Sequence, residues 1–148
     1  MRTAFLCLAA GTLLLTSCSN DVEKNDRATL APTVDPSLPV LGFIDVPAEG
    51  STVRGQFAIG GWVIWGEGVQ TLQFMIDDTP MSGMIQMGIP RPDVAKVHPE
   101  YQNTRSGWGS FFDTAALPAG KHKVIVQAKS NMGKLQNIGT VTLNILKP

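Results

Sequence analysis

VRGQFAIGGWVIWGEGVQTLQFMIDD, Val53 to Asp78, holds two runs of alternating residues around a short glycine-rich break. Phe57, Ile59, Gly61 and Val63 alternate with Gln56, Ala58, Gly60 and Trp62. Beyond Gly66-Glu67-Gly68, Leu72, Phe74 and Ile76 alternate with Gln73, Met75 and Asp77. Successive side chains on a strand point to opposite faces, so period two marks strands with one buried face. Two such strands across a glycine turn predict a β-hairpin. A sheet covered on one side needs a second layer, which must come from the rest of the chain.

Further strands flank this stretch. Leu41 to Val46 reads as the first, ended by Pro47, because proline cannot donate to a sheet ladder. Met81 to Gly88 reads as a short returning strand. Trp108, Ser110 and Phe112 alternate inward, and Leu117-Pro118-Ala119-Gly120 then turns the chain. His122, Val124, Val126 and Ala128 line one face of the next strand, with Lys121, Lys123, Gln127 and Lys129 outside. Ser130 to Gly133 is a hairpin loop, and Val141, Leu143 and Ile145 are the inner residues of the last strand. About seven strands with frequent turns describe an all-β, immunoglobulin-like antiparallel sandwich over residues 41–148. One irregular excursion interrupts it, IPRPDVAKVHPEYQNTR, Ile89 to Arg105, with a helical turn expected from Asp93 to His98 before Pro99. Loops of that length are usually functional or fold over as lids.

The chain's 148 residues, 43% hydrophobic and 16% charged, accommodate one domain with appendages. Twelve basic residues balance twelve acidic ones, so no strong field draws nucleic acid. Both cysteines, Cys7 and Cys18, precede the strands, which rules out a disulfide framework or cysteine-ligated metal in the sandwich. No cofactor is implied.

Met1-Arg2 followed by an apolar run to Leu15 is too short to span a bilayer and fits a secretory signal peptide over residues 1–17. Its end, Leu15-Thr16-Ser17-Cys18, resembles a bacterial lipobox. That resemblance implies cleavage before Cys18, a diacylglyceryl thioether on its sulfur, acylation (such as palmitate) of its amine, and attachment to a membrane. Ser19 after the cysteine implies the outer membrane in a diderm host. Loss of Arg2 with the leader leaves 11 basic against 12 acidic residues, so no polybasic patch assists and the lipid must hold the protein. Residues 18–40, with three prolines, mixed charge and few large apolar groups, read as the lipidated cysteine plus a flexible linker.

The spaced pieces Val53 to Trp62, Gly68 to Asp77, Arg91 to Val94, Ser106 to Trp108, Asp113 to His122 and Asn131 to Gly133 resemble bacterial Ig-like modules. The resemblance implies a surface or secreted module, here without a neighbouring domain. Ser110 departs from it, since the family places a large apolar residue there.

Candidate contacts with a protein or glycan ligand gather on the excursion: Arg91, Asp93, His98 and Tyr101, with Trp62 and Trp65 nearby in sequence pattern. Trp62 has outward parity, so it either meets a ligand or lies under the excursion. Arg91 either presents charge to a ligand or pairs with Asp93 or another acid to pin the loop. A carbohydrate-recognition accessory would use Trp62, Trp65 and Tyr101. Met81, Met84 and Met87 raise a copper carrier, but alternation prevents their sulfurs from converging on one strand. A small envelope hydrolase is the remaining alternative, although no nucleophile, zinc or phosphate-loop motif is present. The expected function is that of a lipid-anchored cell-envelope module acting as a non-catalytic binding, adhesion or structural protein.

Overall fold

The computed structural model describes residues 33–147; the leader and Cys18 lie outside them. Among the described residues, seven strands of five or more residues and two shorter ones build two sheets packed face to face. In order they are β1 (Leu41–Val46), β2 (Thr52–Val53), β3 (Gln56–Ile64), β4 (Val69–Ile76), β5 (Thr79–Met81), β6 (Ile85–Ile89), β7 (Gly107–Asp113), β8 (Gly120–Ser130) and β9 (Leu135–Ile145). One sheet runs β1-β3-β7-β6 and the other β2-β9-β8-β4-β5. All pairings are antiparallel except β2 with β9. Helix α1 (Pro92–Val97) lies in the excursion, and no helix among the described residues is long and apolar enough to cross a membrane.

The inward positions are those of the alternation. Phe57, Ile59, Val63, Leu72, Phe74, Ile76, Trp108, Phe112, Val124, Val126, Val141 and Leu143 form one buried cluster. Phe74 from one sheet meets Trp108 and Phe112 from the other edge-on, at centroid separations of 5.8 and 5.0 Å. Each such buried side chain contributes about 1.5–3 kcal/mol relative to exposure, so the interlayer contact dominates the stability.

The hairpin expected across Gly66-Glu67-Gly68 does not form. β3 pairs with β1 and β7, whereas β4 pairs with β8 and β5, so the turn carries the chain from one sheet to the other. Alternation specifies which face each strand buries. It does not specify whether neighbours in sequence pair edge to edge or face each other across the core. Here the two apolar faces look at each other, and Gly68 (φ 75°) turns back with its N–H donating to the Trp65 carbonyl at 2.9 Å.

The segment from Met81 to Gly88 likewise divides. β5 belongs to one sheet and β6 to the other, with Ser82 to Met84 crossing between them. Ser110 explains the crossing: its buried hydroxyl donates to the Met84 carbonyl at 2.9 Å. A large apolar residue at 110 would leave that carbonyl without this donor.

The sandwich also begins earlier than Leu41. The Gly66 N–H donates to the Leu38 carbonyl at 3.2 Å, Leu38 packs against Ile64, and the Tyr101 hydroxyl donates to the Pro39 carbonyl at 2.7 Å. Prolines and low hydrophobicity mark a linker by composition, but Leu38 has an apolar partner and Pro39 a donor.

Candidate functional site

The site that the sequence reading singled out is built on the outer face of the four-stranded sheet. The outward residues Trp62 and Ile64 of β3 would face water if the sheet ended there. Val94 of α1, Tyr101 and Leu38 cover them and form a second, smaller apolar cluster. Pro92 starts α1, where its missing N–H costs nothing, and Pro99 opens a single 3₁₀ turn, Pro99–Tyr101. The base of the excursion is closed by the Arg91 N–H donating to the Thr104 carbonyl at 2.8 Å. Gly107 leaves room for the Arg91 stem, since a β-carbon there would approach Arg91 Cγ to 3.0 Å.

Arg91 is fully engaged. Its Nε donates to Asp93 Oδ1 at 2.9 Å, Nη2 to Asp93 Oδ2 at 2.7 Å, and Nη1 to Asp45 Oδ2 at 2.5 Å. The first of these partners, Asp93, contributes most to raising the guanidinium's pKa, and Arg91 in turn holds the Asp93 carboxyl below its usual range. The side chain therefore fastens α1 to β1. Tyr101 is buried, and that burial pushes its phenol up; its hydroxyl is committed to Pro39.

Trp65 is corrected as a ligand residue. It is buried in the main core, not on an exposed face. Its odd parity continues Phe57, Ile59 and Val63 past the point where the sequence reading ended the strand. Trp62 is half-buried, with the His98 ring 5.9 Å away; His98 lies 6.1 Å from Tyr101 and its Nδ1 is 3.3 Å from Glu100. Trp62, Asp93, Val94, Val97 and His98 line a cleft of about 200 Å³. Of the six residues, the structure thus joins Arg91, Asp93, His98, Tyr101 and Trp62 in one loop-anchoring assembly and places Trp65 elsewhere.

The methionines do not meet. Met81 pairs with Phe74 in one sheet, Met87 with Trp108 in the other, and Met84 is exposed on the crossing between them. Among the described residues no group of three or more His, Cys, Asp or Glu side chains is placed to hold a metal ion. His122, buried at the start of β8, lies 2.5 Å from Asp77 Oδ2 through Nδ1 and 3.0 Å from the Pro118 carbonyl through Nε2. Asp77 Oδ1 accepts from the Lys123 N–H at 2.9 Å, and this bond, followed by His122, lowers the Asp77 carboxyl.

Sequence reasoning missed a second surface. Gly60 and Gly109 are register partners on the same outer sheet face, below the excursion. Val46, Ile89, Phe111 and Met84 stand around them, enclosing a groove of about 550 Å³. The signal was available: outward positions of β3 and β7 carry Ala58, Gly60, Gly109 and Phe111 where a wet face would carry polar residues.

No protein-family model and no curated protein matches the sequence. Solved structures do match the fold. An endo-β-1,4-mannanase from Thermotoga petrophila aligns with a TM-score of 0.53 at 12% identity, over 75% of this chain and 20% of that one. The fibronectin(III)-like modules of CbhA from Clostridium thermocellum align at 0.50 and 15%, over 73% and 47%. This chain therefore spans about a fifth and about half of those chains. The likeness shows the fold: an all-β, immunoglobulin-like sandwich.

Proposed function

We propose that this chain is a lipid-anchored cell-envelope module that binds a partner and does not catalyse a reaction. The observation that carries the reading is the use made of its polar side chains. Arg91, Tyr101 and His122 are each engaged in bonds that hold loops onto the sandwich, so these polar side chains serve architecture. Leu15-Thr16-Ser17-Cys18 supports an acyl anchor at Cys18, in the outer membrane if the host is diderm. The exposed rim of the excursion, Val97, His98 and Glu100 beside the Trp62 cleft, is the proposed contact surface for an envelope protein. A carbohydrate-recognition accessory is the second reading, favoured by the partial exposure of Trp62 and by the fold's presence within a mannanase.

Fractionation of cells expressing the full chain and its Cys18→Ala variant tests the anchor. The parent chain should sediment with membranes and the variant should appear in the soluble envelope fraction; unchanged sedimentation of the variant contradicts it. Envelope-partner cross-linking should be lost with Val97→Asp and kept with Lys123→Asp. A glycan array bound by the parent chain and lost on His98→Ala would instead favour the carbohydrate reading.

A further inference from the structure

The two outer faces of the sandwich differ in chemistry. The five-stranded sheet turns Lys121, Lys123, Lys129, Gln127 and Gln73 outward, an ordinary solvated face. The four-stranded sheet turns out Val46, Ala58 and Phe111 around a floor of backbone at Gly60 and Gly109, with Phe43 further along β1 on the same face. Phe111 is 72% exposed, Phe43 59%, Val46 51%, and Met84, at the groove's edge, 92%. No lysine, arginine or acid is among the residues lining the groove. We propose that the part of this face that the excursion leaves open lies on the bilayer that holds the acyl chains of Cys18, an inference that rests on the lipid anchor proposed above.

Size argues against another protein copy as the occupant. The exposed parts of these four side chains amount to roughly 400–600 Å², taking about 150–250 Å² for each aromatic. That is as large as the biggest patch on a typical monomer, yet below the roughly 800 Å² per partner of a stable protein interface. A bilayer requires no such area when a covalent lipid already holds the protein. The patch then sets orientation, as a second weak signal beside the acyl chains.

The position of the chain's start agrees. The docked segment at Leu38 and Pro39 packs against Ile64 and Tyr101, at the end of the same sheet whose outer face carries the groove. From Leu41 to Val46, β1 descends about 17 Å to the groove. Fourteen residues lie between Cys18 and Thr33. As a coil they would reach about 20 Å, and fully extended about 50 Å. Either reach exceeds the length of β1 from its start to the groove. The groove lining also includes Gln86, an uncharged amide; at the margins Asp45 is paired with Arg91, and Glu49, which shares a cleft with Phe43, accepts from the Thr142 N–H at 2.8 Å.

The full mature lipoprotein suits a direct test because its sandwich has no cysteine. Single cysteines at Phe111→Cys, Phe43→Cys or Lys123→Cys are labelled with a polarity-sensitive fluorophore. Each protein is reconstituted into phosphatidylethanolamine–phosphatidylglycerol vesicles, with and without nitroxide-labelled lipid. Probes at 111 and 43 should shift to the blue and be quenched by the nitroxide several-fold more than the probe at 123. Equal, water-like emission at all three positions in protein that floats with the vesicles would overturn the proposal while leaving the anchor intact. A blue shift at 111 that needs no vesicles and grows with protein concentration in detergent would assign the face to a second copy and overturn it equally. Protein that fails to float at all would refute the anchor, and this inference with it.

Discussion

Arg91 Nη1 and Asp45 Oδ2 stand 2.5 Å apart, although 46 residues separate them in the chain. The bond ties the one irregular excursion to the edge strand β1, while the same guanidinium grips Asp93 with two nitrogens. A planar fork can serve both carboxylates at once, which a lysine ammonium cannot do with the same geometry.

Both Arg91→Lys and Arg91→Ala should therefore loosen the excursion without unfolding the sandwich. Amide exchange at Val94 to Tyr101 is expected to quicken about tenfold for the alanine variant and less for lysine, as befits a partly exposed network. Unchanged protection across α1 would show that the apolar contacts of Val94 and Tyr101 hold it alone.

Tyr101→Phe removes only the hydroxyl that reaches Pro39. Loss of this bond should cost about 1 kcal/mol, with limited proteolysis rising before Leu41 while the sandwich stays resistant. A variant as resistant as the parent there would mean that Leu38 alone secures the segment.

Trp65→Ala should destabilise the domain by about 3–5 kcal/mol, the cost of a large cavity in a packed core. His98→Ala, at the rim of the excursion, should cost under about 1 kcal/mol. Urea unfolding midpoints distinguish the two, and a small effect at Trp65 would return that side chain to the surface.

Gly61 admits no side chain, because its β-carbon would overlap the Phe43 carbonyl oxygen of the neighbouring strand. Gly61→Ala should lose about 3 kcal/mol or detach β1, seen as lost amide protection from Leu41 to Val46. Gly133→Ala, with open space around it, should cost less and only through its positive φ.

The Asp77 carboxyl sits below its ordinary range in the folded protein. Its contribution to stability is thus complete above the usual carboxylate pKa and fades as pH falls through the lower folded value. The stability gap between the parent chain and Asp77→Ala should be constant near neutrality and narrow progressively below about pH 4. A gap independent of pH would show that the charge of Asp77 adds nothing to the bonds with Lys123 and His122.

How much of this was readable from residues alone varied with the distance over which each feature is decided. Facing is local: parity along a strand put Phe57, Phe74, Trp108 and Val126 inward, and the structure places them there. Pairing is not local. Nothing in Gly66-Glu67-Gly68 distinguishes a hairpin from a step between sheets, since both need a reversal and both bury the same residues. Trp65 could have been placed in the core by extending the parity of β3 by two residues. Asp45 as the second partner of Arg91 depends on the docking of β1 beside the excursion, which no spacing encodes. The glycine-floored groove needs two strands in register, Gly60 against Gly109, before its alternation means anything.

The attachment at Cys18 decides most of the functional account, and the mass of the mature amino-terminal peptide measures it directly. Protein extracted from membranes of a host that lipidates its own envelope proteins should yield a peptide beginning at Cys18 and carrying a diacylglyceryl group. A peptide that retains the leader, or one that begins near Cys18 with an unmodified thiol, would contradict it.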